Sequence, residues 1–185
     1  VHYKKSFMLE GKYILFFEQI SKKISSDRIF TDKASTLAYG TDASFYRLIP
    51  KIVIQSKSIE EITFLLEEAN KLNLPVTFRA AGTSLSGQAI SDSILILTSK
   101  YWTDHEVIEN GNRIKLQPVV IGARANVLLK PYGRKIGPDP ASINSAMIGG
   151  IVANNASGMC CGTSENSYKT VAGLKIIFYD GFLLD

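Results

Sequence analysis

Val76-Thr77-Phe78, followed by Arg79-Ala80-Ala81-Gly82-Thr83-Ser84-Leu85-Ser86-Gly87-Gln88, is the stretch on which the reading of this chain turns. The first three residues favour strand and predict a short buried one, and the residues after them are mostly small. Main chain left this bare exposes its N–H groups, which a bound anion needs and which large side chains would block. A second stretch has the same character. Gly137-Pro138-Asp139-Pro140 runs through Ser142 to Ile148-Gly149-Gly150 and on to Ala153-Asn154-Asn155-Ala156-Ser157-Gly158. Each proline sets its own φ and restricts the residue before it, so residues 138–140 form a rigid extended strip. Gly149-Gly150 falls inside a segment, 145–154, that otherwise reads as a helix, and the pair weakens that helix unless something approaches closely.

Outward from these stretches, Ile52-Val53-Ile54 predicts a strand, and Ser58 with Glu61 predicts a capping box opening a helix that carries Ile62, Leu65, Leu66 and Ala69. Leu74-Pro75 ends that helix. Strand, helix and strand give a βαβ unit with the glycine loop at its carboxyl end, the edge at which ligands bind in such sheets. Ile94 to Leu97 supplies a third strand. Val107-Ile108 and Ile114-Lys115-Leu116 flank Asn110-Gly111-Asn112 as an antiparallel hairpin that begins a second lobe. Ala123 to Lys130 predicts a helix, and residues 175–179 and 182–184 a hairpin about Asp180-Gly181. Near the start, Phe16, Phe17, Ile20 and Ile24 recur at helical spacing within residues 9–24, an amphipathic helix for core packing, with a membrane-surface role as the weaker alternative.

With 185 residues and 45% hydrophobic content the chain can bury a core of its own. No apolar run reaches the roughly 20 residues a membrane-spanning helix needs, so a soluble protein is the default expectation. Lys4 and Lys5 are not followed by a signal core. The formal charge of +4 comes from scattered residues rather than a basic run interleaved with aromatics, so a nucleic-acid partner is not expected. Cys160 and Cys161 are adjacent and can neither staple distant segments nor complete a zinc or iron–sulfur site; two buried or half-buried thiols in a reducing compartment are expected.

Several chemistries lack their residues. Gly82 to Gly87 has P-loop glycine spacing, but Gln88-Ala89 stands where Lys and Ser/Thr would bind phosphate and magnesium. No G-x-G-x-x-G fingerprint is present. Neither His2 nor His105 lies in a motif, and surface or packing roles are expected of both. Without a histidine placed near Ser84 or Ser157, a hydrolytic triad is not expected.

Arg79 to Gly87, then Pro138-Asp139-Pro140 and Ile148-Gly149-Gly150, resemble the FAD-binding domain of the FAD-linked oxidase superfamily, the vanillyl-alcohol oxidase or PCMH type, whose pattern is close to R-G-x-G-T-S-x-S-G followed by P-D-P and I-G-G. The resemblance begins near Tyr39-Gly40-Thr41-Asp42-Ala43-Ser44 and continues to Leu174 and Asp180-Gly181. Within the superfamily it is most similar to the D-lactate, glycolate and D-2-hydroxyglutarate dehydrogenase branch, and residues 158–163 with Asn166-Ser167-Tyr168 resemble long members fused to an iron–sulfur domain. The resemblance implies an α+β, PCMH-type FAD-binding fold, with a small βαβ-containing lobe and part of a second lobe of antiparallel sheet and helices. The expected ranges are 1–28 for a helical extension, 29–100 for the first lobe and 101–185 for the second, truncated at its C-terminus.

The resemblance further implies that the main chain of Ala81, Gly82, Thr83 and Ser84 binds the FAD diphosphate, with the two hydroxyls assisting and Arg79, Ala80, Gly87 and Gln88 around it. Arg79 is either a phosphate clamp or an anchor for the loop that pairs with a carboxylate. Pro138, Asp139, Ser142, Ile148, Gly149, Gly150, Asn154 and Gly158 would lie along the flavin, with turn capping the alternative for Asp139. Met147 departs from the family, which commonly has a hydroxyl residue there. Thr83 stands where some relatives carry a flavin-tethering histidine, so the FAD is expected to be non-covalent.

The implied enzyme is a cytoplasmic FAD-linked oxidoreductase, with peripheral membrane association at full length as an alternative location. It oxidises a small 2-hydroxy acid: a base takes the hydroxyl proton while hydride passes to flavin N5. This chain would be an N-terminal fragment inactive alone, without assigned catalytic residues, and any iron–sulfur cluster would lie in a C-terminal region beyond it. The rivals are another flavin oxidoreductase of the superfamily and a non-catalytic nucleotide-binding module.

Overall fold

The computed structural model describes residues 9–98 and 100–185, so Lys4, Lys5 and His2 lie outside the described residues. The chain divides into two compact units: residues 1–79, 84–97 and 175–185 form one, and residues 80–83 and 98–174 the other.

In the first unit a four-stranded sheet is ordered β1 (Ile29–Phe30), β2 (Ile52–Ser56), β4 (Ile94–Thr98), β3 (Val76–Arg79). β1 is antiparallel to β2, and β3 is parallel to β4. Lys51 N–H donates to Ser93 O at one end and Ser56 Oγ to Leu97 O at the other, so β2 and β4 run the same way. Side chains alternate across the sheet. Ile52, Ile54, Ile94 and Ile96 join Phe16 and Ile20 of α1 (Lys12–Ile20) and Leu65 and Ala69 of α3 (Ile59–Lys71) in one core. Val53, Leu95 and Leu97 form a second cluster on the opposite side with Phe30 and Tyr39. Burial on both faces explains why β2 and β4 read as continuous apolar runs. The βαβ reading gains a detail: β4 intervenes between β2 and β3, which leaves β3 at the sheet edge. Val76 and Thr77 are half-buried and Phe78 is exposed, a correction to the buried strand expected there.

The N-terminal end of α3 carries the strongest polar anchor. Ser58 Oγ accepts the Glu61 N–H, as the capping box predicts. The Glu61 carboxylate instead accepts the Lys57 N–H and two bonds of 2.7 Å from the Arg28 guanidinium, whose Nη1 also donates to Gln55 O. The helix stops earlier than Leu74-Pro75: Leu72 caps it, Asn73 takes φ 51°, and Leu74 N–H returns to Ala69 O. Two short elements had no sequence expectation, β1 and α2 (Lys33–Ala38), the latter capped by Asp32. The hairpin β7 (Ile176–Ile177) and β8 (Leu183–Leu184) belongs to this unit rather than to 101–185 as a whole, with Tyr179 Oη donating to Leu74 O. α1 likewise contributes to this core rather than standing apart as an extension.

The second unit holds the antiparallel hairpin β5 (His105–Ile108) and β6 (Arg113–Leu116), then α4 (Gly122–Leu129), α5 (Ile148–Ala153) and the single turn α6 (Ser167–Thr170). Ile121 bridges Met147, and Gly122 N–H to Ala146 O and Ile148 N–H to Val120 O extend the pairing. Ala146, Ile151 and Ala156, with Ile143 and Ile148, form its small core. α5 starts later than the 145–154 helix expected, because Ala146 and Met147 are committed to that pairing.

Burial pushes the Glu61 carboxyl up, but the bonds and charge of Arg28, the Lys57 N–H and the Lys57 charge outweigh it, and its pKa lies below the ordinary 4.5. A depressed folded-state pKa contributes stability that is present above 4.5 and lost as pH falls through the folded value. Glu61→Gln is expected to cost about 3 kcal/mol near neutrality, since it strands a buried guanidinium. It should also flatten the acid limb of stability against pH; urea titrations at several pH values check both.

Candidate functional site

The stretch after β3 is irregular, with Gly82 at φ 72° and Gly87 at φ 71°, both in the left-handed region that favours glycine. Ala80, Ala81, Gly82, Thr83 and Ser84 are half-buried. Among the described residues, the N–H groups of Ala81, Gly82, Thr83 and Ser84 have no hydrogen-bond acceptor. Donors in this position are open to a ligand or to water. Ser84 Oγ is committed within the loop, donating to Gln88 Oε1 and accepting the Ser86 and Gln88 N–H groups. Arg79 bonds carbonyls rather than the carboxylate expected of an anchor: Nη1 donates to Thr41 O at 2.7 Å and to Tyr39 O at 3.3 Å.

The second stretch is built differently. The Ile148 and Gly149 N–H groups are taken by Val120 O and Pro118 O, both at 2.9 Å. A Cβ on Gly149 would lie 2.8 Å from Pro118 Cβ, and one on Gly158 would lie 1.8 Å from Asp139 O. These glycines are required by packing within the unit itself. At Gly150 the added Cβ meets nothing within 4 Å. Pro138 is buried, Ser142 and Asp139 are half-buried, and Asn154 caps α5 while exposed. Asp139 Oδ2 lies 3.9 Å from Lys135 Nζ, an ion pair.

Cys161 is buried, as expected, but Cys160 is exposed. The exposed turn at Met159 and Cys160 gives that thiol nothing to pack against. His105 is exposed on β5. Among the described residues no group of His, Cys, Asp and Glu could hold a metal, and no helix is long and apolar enough to cross a membrane.

Residues 50–185 match the model of the FAD binding domain family. The chain belongs to that family. It is 33% identical over 120 residues to the glycolate oxidase subunit GlcD of Escherichia coli K12, covering 64% of this chain and 24% of that protein. It is 26% identical over 178 residues to a D-2-hydroxyglutarate dehydrogenase of Pantoea ananatis, covering 94% of this chain and 17% of that protein. The chain thus spans a quarter or less of the length of these relatives. The solved structure of 4-ethylphenol oxidase from Gulosibacter chungangensis shares the fold at TM-score 0.74 and 19% identity, over 94% of this chain and 34% of that one. The α+β, PCMH-type reading therefore holds.

FAD is the cofactor this family implies, and the first loop fits it: consecutive unpaired amides after a strand match the donor set a diphosphate needs.

The two kinds of glycine separate in experiment. Gly158→Ala should destabilise the second unit by about 1–3 kcal/mol, because Asp139 main chain must move. Gly150→Ala, in a helix with open space, should stabilise the flavin-free protein by about 0.5–1 kcal/mol. Chemical denaturation of both variants measures the difference in sign.

Proposed function

We propose that this chain is the FAD-binding portion of an FAD-linked oxidoreductase that oxidises a small 2-hydroxy acid of the D-lactate, glycolate or D-2-hydroxyglutarate type. The observation that carries the reading is the run of unpaired N–H groups at Ala81, Gly82, Thr83 and Ser84. The names of its relatives, a glycolate oxidase subunit and D-2-hydroxyglutarate dehydrogenases, support the substrate class.

In this reading the four amides and the Thr83 hydroxyl bind the diphosphate, with Ala80, Gly87 and Gln88 shaping the loop around it. Ser84 Oγ stabilises the loop through its bonds to Gln88 and Ser86. Pro138, Asp139, Ser142, Ile148, Gly150 and Asn154 line the flavin, while Gly149 and Gly158 let Pro118 and Asp139 close in and so fix that lining. Bound FAD supplies acceptance of a hydride from the substrate carbon. The two compact units correspond to the two lobes of the FAD-binding domain. The full polypeptide is a longer enzyme that holds its FAD non-covalently, Thr83 offering no tether, and works in the cytoplasm.

The full polypeptide should purify yellow, release its flavin on denaturation, and lose its visible flavin absorbance when titrated anaerobically with glycolate, D-lactate or D-2-hydroxyglutarate. Bleaching by a phenol or a sugar but by none of these acids would rule out the substrate class. A colourless protein that takes up no added FAD would rule out the cofactor. Gly82→Val should abolish FAD retention; at φ 72° it also adds about 1–2 kcal/mol of local backbone strain, so the flavin-free melting temperature is measured alongside.

A further inference from the structure

Among the described residues the amides of residues 81–84 have no acceptor, and the internal bonds of the loop are those of Ser84 Oγ to residues 86 and 88. Both ends of the loop are tied to one short segment, Tyr39 to Arg47. At the start, Arg79 Nη1 donates to Thr41 O at 2.7 Å and Tyr39 O at 3.3 Å, and its guanidinium carbon stands 6.0 Å from the centre of the Tyr39 ring. At the end, the Ala89 N–H donates to Asp42 Oδ2 at 3.3 Å. The other oxygen, Oδ1, accepts the Ser44 N–H at 2.8 Å, which fixes the carboxylate. Thr41 bridges Arg47, and a Cβ on Gly87 would lie 3.0 Å from Tyr46 Cδ2, so the loop also rests on this segment near its far end.

We infer that Asp42, outside the glycine loop, is a positioning residue for flavin binding: with Arg79 it braces both ends of the loop on one segment and presets its unpaired amides. The inference rests on the loop reading proposed above. Anion binding by main-chain amides gains from a fixed arrangement, because an unbraced loop must be ordered at the moment of binding. Burial pushes the Asp42 carboxyl up, but the Ser44 hydroxyl and N–H, the Ala89 N–H and the Arg79 charge together hold it below its ordinary value. It is therefore a carboxylate at neutral pH, with both oxygens engaged.

The test compares FAD dissociation constants in the full polypeptide for wild type, Asp42→Asn, Asp42→Ala and Arg79→Lys, together with the melting temperature of each flavin-free form. Asp42→Asn keeps an acceptor for Ser44 but puts an amide group, which cannot accept, opposite Ala89. It should weaken FAD binding about tenfold. Asp42→Ala should weaken it further, and Arg79→Lys, which keeps the charge and loses the fork, should follow Asp42→Asn. The flavin-free melting temperatures of Asp42→Asn and Arg79→Lys should stay near wild type, while hydrogen exchange at the Ala89 amide accelerates in Asp42→Asn. Wild-type affinity in Asp42→Asn and Arg79→Lys overturns the inference and leaves the loop reading intact, and so does slow, unchanged exchange at Ala89. Should Asp42→Ala fail to fold, those two conservative variants still decide. If affinity is lost only in step with melting temperature, the role is structural and the inference falls. A wild-type polypeptide that binds no FAD removes the loop reading itself.

Discussion

Burial of the two central strands on both faces is the constraint from which the first unit follows. Ile52 to Ile54 and Ile94 to Leu97 are apolar at every position, so helices must cover one side and the Phe30 and Tyr39 cluster the other. With β2 and β4 occupying the centre, β3 is left at the edge, paired only to β4 among the named strands. Its last residue, Arg79, leads into main chain that no neighbouring strand satisfies. The unpaired amides are thus a consequence of topology as much as of the small residues that carry them.

The glycines sort by physical cause. Gly149 and Gly158 admit neighbouring main chain or proline at distances no side chain tolerates. Gly82 and Gly87 take left-handed backbone that other residues rarely adopt. Gly150 meets neither condition, so neither close packing nor left-handed backbone explains a glycine there. Two stretches that both read as runs of small residues therefore contain two distinct demands, and only the structure separates them.

Much of the fold was legible because its signals are local. The apolar runs at Ile52 and Ile94 and the helical pattern around Leu65 gave β2, β4 and α3, and the Asn110-Gly111 turn gave the β5 and β6 hairpin. What escaped depended on distant partners. β1 is two residues long and exists by pairing with Ile54 and Val53, and Phe78 is exposed because β4 inserts between strands adjacent in sequence. The Arg28 and Glu61 pair joins positions whose separation gives no local cue. At the candidate site, the bare loop was legible from its small residues, whereas the anchoring of Arg79 on two carbonyls and the part played by Asp42 were not. Backbone acceptors leave no mark in a sequence, and an Asp followed two residues later by Ser reads first as a turn.

A site made from main-chain donors constrains sequence mainly by exclusion. It requires that side chains be small or absent at a few positions and that the ends of the loop be held, and it leaves the rest of the domain free to vary around the apolar pattern that builds the sheet. This accounts for a fold shared with an oxidase of low sequence identity, together with a recognisable short run at Arg79 to Gly87. In the proposed reading it also locates where specificity would have to arise: main-chain amides bound to a diphosphate do not touch the substrate, so discrimination among substrates would fall to side chains elsewhere.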